Sequence, residues 1–199
     1  DKKLNNSSCG INQSIMNQEE NRKKLIKPLK THEIDFRIQS INKGGYATIL
    51  AYKNARADMN RLDEAFGCMG WKREHQRDNR NCVISVWDHE KKQWISKEDT
   101  GTESIADKEK GLASDSFKRA GFNWGIGREL YDYPSIQIKW DASEFKEEKG
   151  RVKQTYKLRL KSWKWISAFN NDNDIVGLAA KDEDGKLRFK WGVFPKKES

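Results

Sequence analysis

Two stretches with helical spacing, separated by three stretches with strand spacing, constrain this chain most. Tyr52, Ala55, Met59, Leu62 and Phe66 recur at helical intervals, and Gly67 follows as a C-terminal cap. Arg56, Asp58, Arg61 and Glu64 fall on the opposite, polar face of that helix. Between Trp71 and Glu103 the pattern changes to three strands, WKREHQR, CVISVWD and QWISKEDTGT, with turns around Asp78–Asn81 and His89–Lys92. A second helix is predicted from Ile105 to Trp124, with Ala113, Phe117, Ala120 and Trp124 on one face. Lys108, Asp115, Lys118 and Arg119 lie on the other.

The flanks complete the layout. Residues 1–32 are rich in Asn, Gln, Ser and Lys, and read as a flexible polar arm with one short helix near Glu19–Ile26, ended by Pro28. FRIQS and YATIL flank Lys43-Gly44-Gly45 and predict a hairpin. Gly125-Ile126-Gly127 ends the second helix, and Arg128–Tyr131 adds a turn before Pro134. Beyond it, Ile136–Trp140 and Thr155–Lys161 are expected to pair across a charged loop ending in Lys149-Gly150. A last hairpin turns at Asp184-Gly185. The order β-β-α-β-β-β-α followed by further strands is α+β: an antiparallel sheet with a long packed helix. The expected division is an arm (1–32), a core (33–134) and a β-rich basic extension of the same domain (135–199).

Composition narrows the function. The 199 residues include 39 Lys and Arg against 30 Asp and Glu, a net charge of +9 that favours a polyanionic partner. Eight Trp, eight Phe and five Tyr supply enough buried area for a folded core despite 35% charged residues. No apolar run approaches the ~18 residues of a membrane span, and the polar start DKKLNNSSCG lacks a signal-peptide shape. Cys9, Cys68 and Cys82 form no CxxC pair, which argues against zinc and a disulfide framework. A soluble cytoplasmic protein of a bacterial or phage-infected cell is expected, with no membrane partner.

Basic residues cluster twice. Residues 149–164 hold seven cations and no carboxylate. Arg151, Lys153, Lys157, Arg159 and Lys161 alternate there with Val152, Tyr156, Leu158 and Leu160. As a strand this gives one basic stripe, with cations ~6.6 Å apart. Such a stripe fits a phosphate backbone or, equally, an edge strand guarded by lysines. The second cluster is Lys108, Lys110, Lys118 and Arg119 on the second helix, flanked by Gly111, Ser114 and Gly121. Glycine within a helix costs about 1 kcal/mol against Ala, so these small residues point to close approach by a subunit or a nucleic acid backbone.

Catalytic readings are thin. Gly125-Ile126-Gly127 follows a helix, and Leu130 stands where a dinucleotide motif needs its third glycine. No Walker A sequence is present. Asp88-His89-Glu90 as a metal site is disfavoured because adjacent strand residues alternate sides. Asp58, Asp63 and Glu64 as nuclease carboxylates are disfavoured against ion pairing with Arg56 and Arg61. Trp71, Trp87 and Trp94 are expected to face the helices from the sheet. A non-enzyme without metal or cofactor is predicted.

Two segments carry a resemblance. RLDEAFG (Arg61–Gly67) with Gly70-Trp71, and KGLASDSFKRA (Lys110–Ala120) running into Trp124-Gly125-Ile126-Gly127-Arg128, resemble the Rad-fifty-two-type single-strand annealing proteins in their phage (Sak-type) and bacterial DdrA-type branches. The match spans roughly Phe36 to Tyr133. It implies a β-β-β-α core assembled into rings or arcs, with single-stranded DNA in a basic groove. By position, Lys118 and Arg119 match the pair that contacts the bound strand, and Lys110 a further groove lysine. Arg56 and Arg61 lie near the groove arginine of the first helix. Arg128, closing the second segment, joins the candidate set with Lys108. Lys91 and Lys92 correspond to an outer DNA site. Phe122 departs from the pattern, since eukaryotic members are basic there. Arg151, Lys153, Lys157 and Arg159 lie outside the matched region and enter through their alternation alone.

The expected function is ATP-independent binding and annealing of complementary single strands in recombination and repair. The partners would be single-stranded DNA, further copies of the chain, and a single-strand-binding protein or recombinase. Protection of single-stranded DNA ends without strong annealing is the alternative. A metal-dependent nuclease is a third reading. RNA is a fourth, because basic strands and aromatics do not distinguish the sugar.

Overall fold

The computed structural model describes residues 17–102 and 108–194, and side chains of the second segment from Gly111 onward. In chain order, helix α1 covers 17–26, followed by β1 (Ile34–Ile41), β2 (Tyr46–Lys53), α2 (Ala55–Phe66), β3 (Trp71–Gln76), β4 (Asn81–Asp88), β5 (Gln93–Thr100) and α3 (Lys108–Asn123). Four-residue strands β6 (Ile136–Lys139), β7 (Phe145–Glu148) and β8 (Arg151–Gln154) come next. Strands β9 (Lys164–Phe169), β10 (Ile175–Lys181) and β11 (Leu187–Gly192) close the described chain. The α+β, antiparallel character is as expected. The residues divide into two compact units, one of residues 17–28 and Asn54–Arg128, the other of Leu29–Lys53 and residues 129–194.

In the first unit, two tight turns order the strands β3-β4-β5, each neighbour antiparallel. Strand β4 is central, and alternation sends Cys82, Ile84 and Val86 to one face. That face meets Leu62 and Ala65 of α2, Phe117 and Ala120 of α3, Ile126, and Leu25 of α1, all buried. The stretch expected as a polar arm thus contributes a core leucine. Helix α2 starts where the Asn54 side-chain oxygen accepts from the Ala57 N–H (3.1 Å) and stops where the Gly67 N–H donates to Asp63 O (2.9 Å). Gly101, just past β5, admits no side chain: a Cβ there would lie 2.7 Å from the Ser116 backbone nitrogen in α3.

Two expectations need correction in this unit. Asp58 and Arg61 do not lie on a solvated face, since they are 0% and 4% exposed. Apolar periodicity sees only the face toward the sheet, whereas α2 is also covered from the side where the Arg61 guanidinium donates to Pro28 O (3.2 Å) and approaches Glu64 (3.6 Å). Trp87 and Trp94 do not face the helices. The register pairs Trp71 with Val86 and Trp87 with Trp94, so Trp71 points inward and the other two outward. Trp71 stacks on Phe117, while Trp94 is 40% exposed.

The second unit holds the sheets β1-β2-β6 and β11-β10-β9 and the hairpin β7-β8. The hairpin at Lys43-Gly44-Gly45 and the last one at Asp184-Gly185 form as predicted. Phe36 stacks face to face on Trp165, with centroids 3.7 Å apart. Arg188, with a nearly inaccessible side chain, donates to both Glu144 oxygens at 2.8 Å and to Asp182 at 3.3 Å.

The predicted pairing of 136–140 with 155–161 does not occur. Ile136–Ile49 register joins β6 to β2. Lys149 (φ 51°) and Gly150 (φ 74°) form a two-residue turn of the hairpin-favouring hand, pairing β7 with β8 instead. The strand ends at Gln154, because the Thr155 N–H and hydroxyl turn back to Glu144 O and Ser143 O (2.8 Å each). The basic stripe over Arg151–Lys161 is therefore broken: Leu158 and Leu160 are buried, Tyr156 is exposed, and Lys157, Arg159 and Lys161 ride on turns.

Thiol chemistry provides a check on the first unit. Cys82 is fully buried in the β4 core, and that burial pushes its pKa up to about 11. Cys68 is exposed. Iodoacetamide at neutral pH is expected to modify Cys68 and spare Cys82 until denaturant is added. Peptide mass spectrometry reads this directly, and native labelling of Cys82 would contradict the packing of β4.

Candidate nucleic-acid interface

Residues 54–128 carry 14 Lys and Arg against 13 Asp and Glu, so any anion site on this unit is local. The first local feature is α3. Its inward face is fixed by Phe117 and Ala120, which leaves Lys118 and Arg119 half-buried on its outer flank. Arg119 approaches Asp99 of β5 at 3.5 Å. Lys108 and Lys110 fall in the first turn of α3, and their side chains lie outside the described residues.

Cations sit on rings across the same sheet. Lys72 Nζ lies 4.6 Å over the Trp94 ring, Arg73 4.7 Å over Phe117, and Lys97 4.7 Å over Trp124. The Lys97 ammonium also donates to Asn123 O (2.9 Å). Arg128 donates to Phe122 O (2.7 Å) and Asn123 O (3.1 Å). Both cations thus cap the carbonyl end of α3, where positive charge is favoured. Beside this end lies an open groove of about 800 Å³, lined by Trp87, Trp124, Lys91, Lys97 and Arg128 together with Asp88 and other residues.

The remaining predicted residues scatter. Arg56 is exposed in the first turn of α2, and Arg61 is buried, as described. Lys91 and Lys92 are exposed at the β4–β5 hairpin tip, with Lys91 3.8 Å from Asp88. Arg151, Lys153, Lys157 and Arg159 belong to the other unit. Lys153 is bound to Glu148 (2.8 Å), and Arg159 is 3.7 Å from Glu183.

The disfavoured catalytic groups are engaged elsewhere. Asp63 accepts the Trp71 indole N–H (2.7 Å), and Glu64 faces Arg61. Asp88 accepts the Lys91 and Glu90 N–H groups (3.0 Å each), which hold its carboxyl below the ordinary range. His75 lies 3.4 Å from the Ser116 hydroxyl. Burial, aided by Arg73, lowers its pKa. No group of three or more His, Cys, Asp or Glu residues suited to a metal occurs among the described residues. No helix there is long and apolar enough to cross a membrane.

Lys72, Arg73 and Lys97 went unnoticed in the sequence. Their signal is cross-strand: once the two turns set the register, Lys72 falls on the outward face with Trp94, whereas Arg73 and Lys97 share the inward face with Ile84.

No protein-family model matches the chain. Over 122 residues it is 32% identical to the single-stranded DNA-binding protein DdrA of Deinococcus radiodurans. The alignment covers 60% of this chain and 58% of that relative, so the chain spans a little over half of its length.

Proposed function

We propose that this protein binds single-stranded DNA through its phosphate backbone and, without ATP, promotes pairing of complementary strands as a homo-oligomeric ring or arc in recombination and repair. The similarity to a relative named for single-stranded DNA binding carries the reading. The sheet-and-helix arrangement of the first unit supports it, as do exposed cations beside aromatic rings. Lysine and arginine that neutralise phosphates leave base edges free, so a second strand can supply specificity by pairing. Lys118 and Arg119 are the leading contacts, with Arg56 and the tip lysines Lys91 and Lys92 as further ones. Trp94, half-open under Lys72, offers a stacking surface of the kind worth ~1–3 kcal/mol per base. Arg61 is left out because it is buried, and Arg128 acts first as a cap of α3.

Fluorescence anisotropy with a labelled oligothymidylate, in EDTA and without nucleotide, tests the binding. Saturable binding that weakens linearly in log–log against salt is expected. Absence of binding at low salt rejects the proposal.

A further inference from the structure

The second unit presents a face that none of the assigned residues uses. In β9, β10 and β11 alternation and register put Trp165, Ala180, Leu178 and Phe189 on one side. The opposite side forms a grid: Lys164, Lys181 and Leu187 in one row, Ile166, Ala179 and Lys190 in the next, then Ala168 and Gly177. All three lysines are exposed, as are Ile166 and Leu187. Lys164 sits directly opposite Lys181, a like-charge pairing that works against the sheet. Among the described residues none of the three forms an ion pair, and this grid contains no carboxylate. Some other cations of this unit do meet partners: Lys153 with Glu148, Lys186 with Asp141, Arg159 with Glu183.

From this face we infer a second contact for the phosphate backbone of single-stranded nucleic acid, carried by Lys164, Lys181 and Lys190. The inference rests on the single-stranded DNA reading above and adds a site to it. The facing pair Lys164 and Lys181 repel each other across β9 and β10, and an external polyanion lying between the charges relieves that repulsion. The small residues Ala168 and Ala179 keep the floor low beside the lysines, while Val193 and Phe194 cover Gly177 at the far end of the grid. Ile166 and Leu187 provide apolar contact for bases beside the neutralised phosphates.

The test compares the full-length wild type with K164Q/K181Q/K190Q by anisotropy on a long oligothymidylate across a salt series. K27Q/K43Q/K139Q, which removes three exposed lysines that lie outside this grid, is the charge-matched control. The triple variant is expected to bind at least about tenfold more weakly at low salt. Its log–log salt slope should fall by about 2, from roughly 0.7 for each of three phosphates. The control should stay within about twofold, and K164R/K181R/K190R should restore the wild-type slope. The single change K181E should raise the melting temperature, by giving Lys164 an opposite charge, while weakening binding. A wild-type slope in the triple variant overturns the inference alone. So does loss of binding to anionic lipid vesicles with DNA binding intact. A wild type that binds no oligonucleotide overturns this inference together with the proposal it rests on.

Discussion

Replacing Lys118 and Arg119 together by alanine should lower affinity for single-stranded DNA on the order of a hundredfold and leave the fold and assembly unchanged. Each is a candidate charge-assisted contact, and a hydrogen bond to a charged group is worth ~1.5–3 kcal/mol. The structural cost on the Arg119 side is small. The Arg119–Asp99 pair is partly exposed, at 40% and 29%, so solvent screening limits it to under ~1 kcal/mol. The melting temperature should then fall by no more than about 2–4 °C. The salt slope should fall by about 1.4, twice the roughly 0.7 per phosphate on a single strand. Anisotropy, thermal melting and size-exclusion elution separate the outcomes. Unchanged affinity removes the pair from the proposed interface, and a changed elution volume reassigns it to a structural role.

The second large effect concerns stability. Phe117 is fully buried, lies 6.3 Å from Trp71 between ring centroids, and carries the Arg73 guanidinium over its face. It is the residue through which α3 grips the β3-β4-β5 sheet. Phe117→Ala removes that area and leaves a cavity bounded by strands that cannot collapse freely, at a cost of ~3–5 kcal/mol. Against a typical total of roughly 5–15 kcal/mol, this brings the first unit near its unfolding threshold. Urea denaturation followed by Trp fluorescence should show a much lower midpoint. A midpoint near wild type would mean that α3 is held by something other than this contact.

The elements that residues punctuate locally were legible in advance. Lys43-Gly44-Gly45 and Asp184-Gly185 turn their hairpins, and Gly67 ends α2, because these are decisions of a few neighbouring residues. The three strands before α3 and the inward face of α3 followed from period alone. Pairing between distant strands did not. Ile136–Lys139 alternates equally well for any partner, and only tertiary packing assigns it to β2. Lys149-Gly150 is a strong two-residue turn signal, and reading it as the end of a loop extended a basic strand through Leu158 and Leu160, which the fold buries.

The candidate interface was legible in part for the same reason. Lys118 and Arg119 could be placed on the outer flank of a helix by counting from Phe117. Burial of Asp58 and Arg61 could not be foreseen, because a second covering element widens the buried face of α2 beyond its apolar stripe. The outward direction of Trp87 and Trp94, and the lysine row on β9–β11, both depend on strand register. Register converts a one-residue offset into a change of face.

Strand pairing itself tests the central claim most directly. Two dye-labelled complementary oligonucleotides are mixed with the protein, in EDTA and without ATP, and energy transfer is followed over time. Pairing far faster than the protein-free control is predicted, strongest near a fixed protein-to-nucleotide ratio, suppressed by salt and lost in K118A/R119A. Saturable binding with pairing no faster than the control would contradict it, and leave a protein that holds single strands or their ends without joining them.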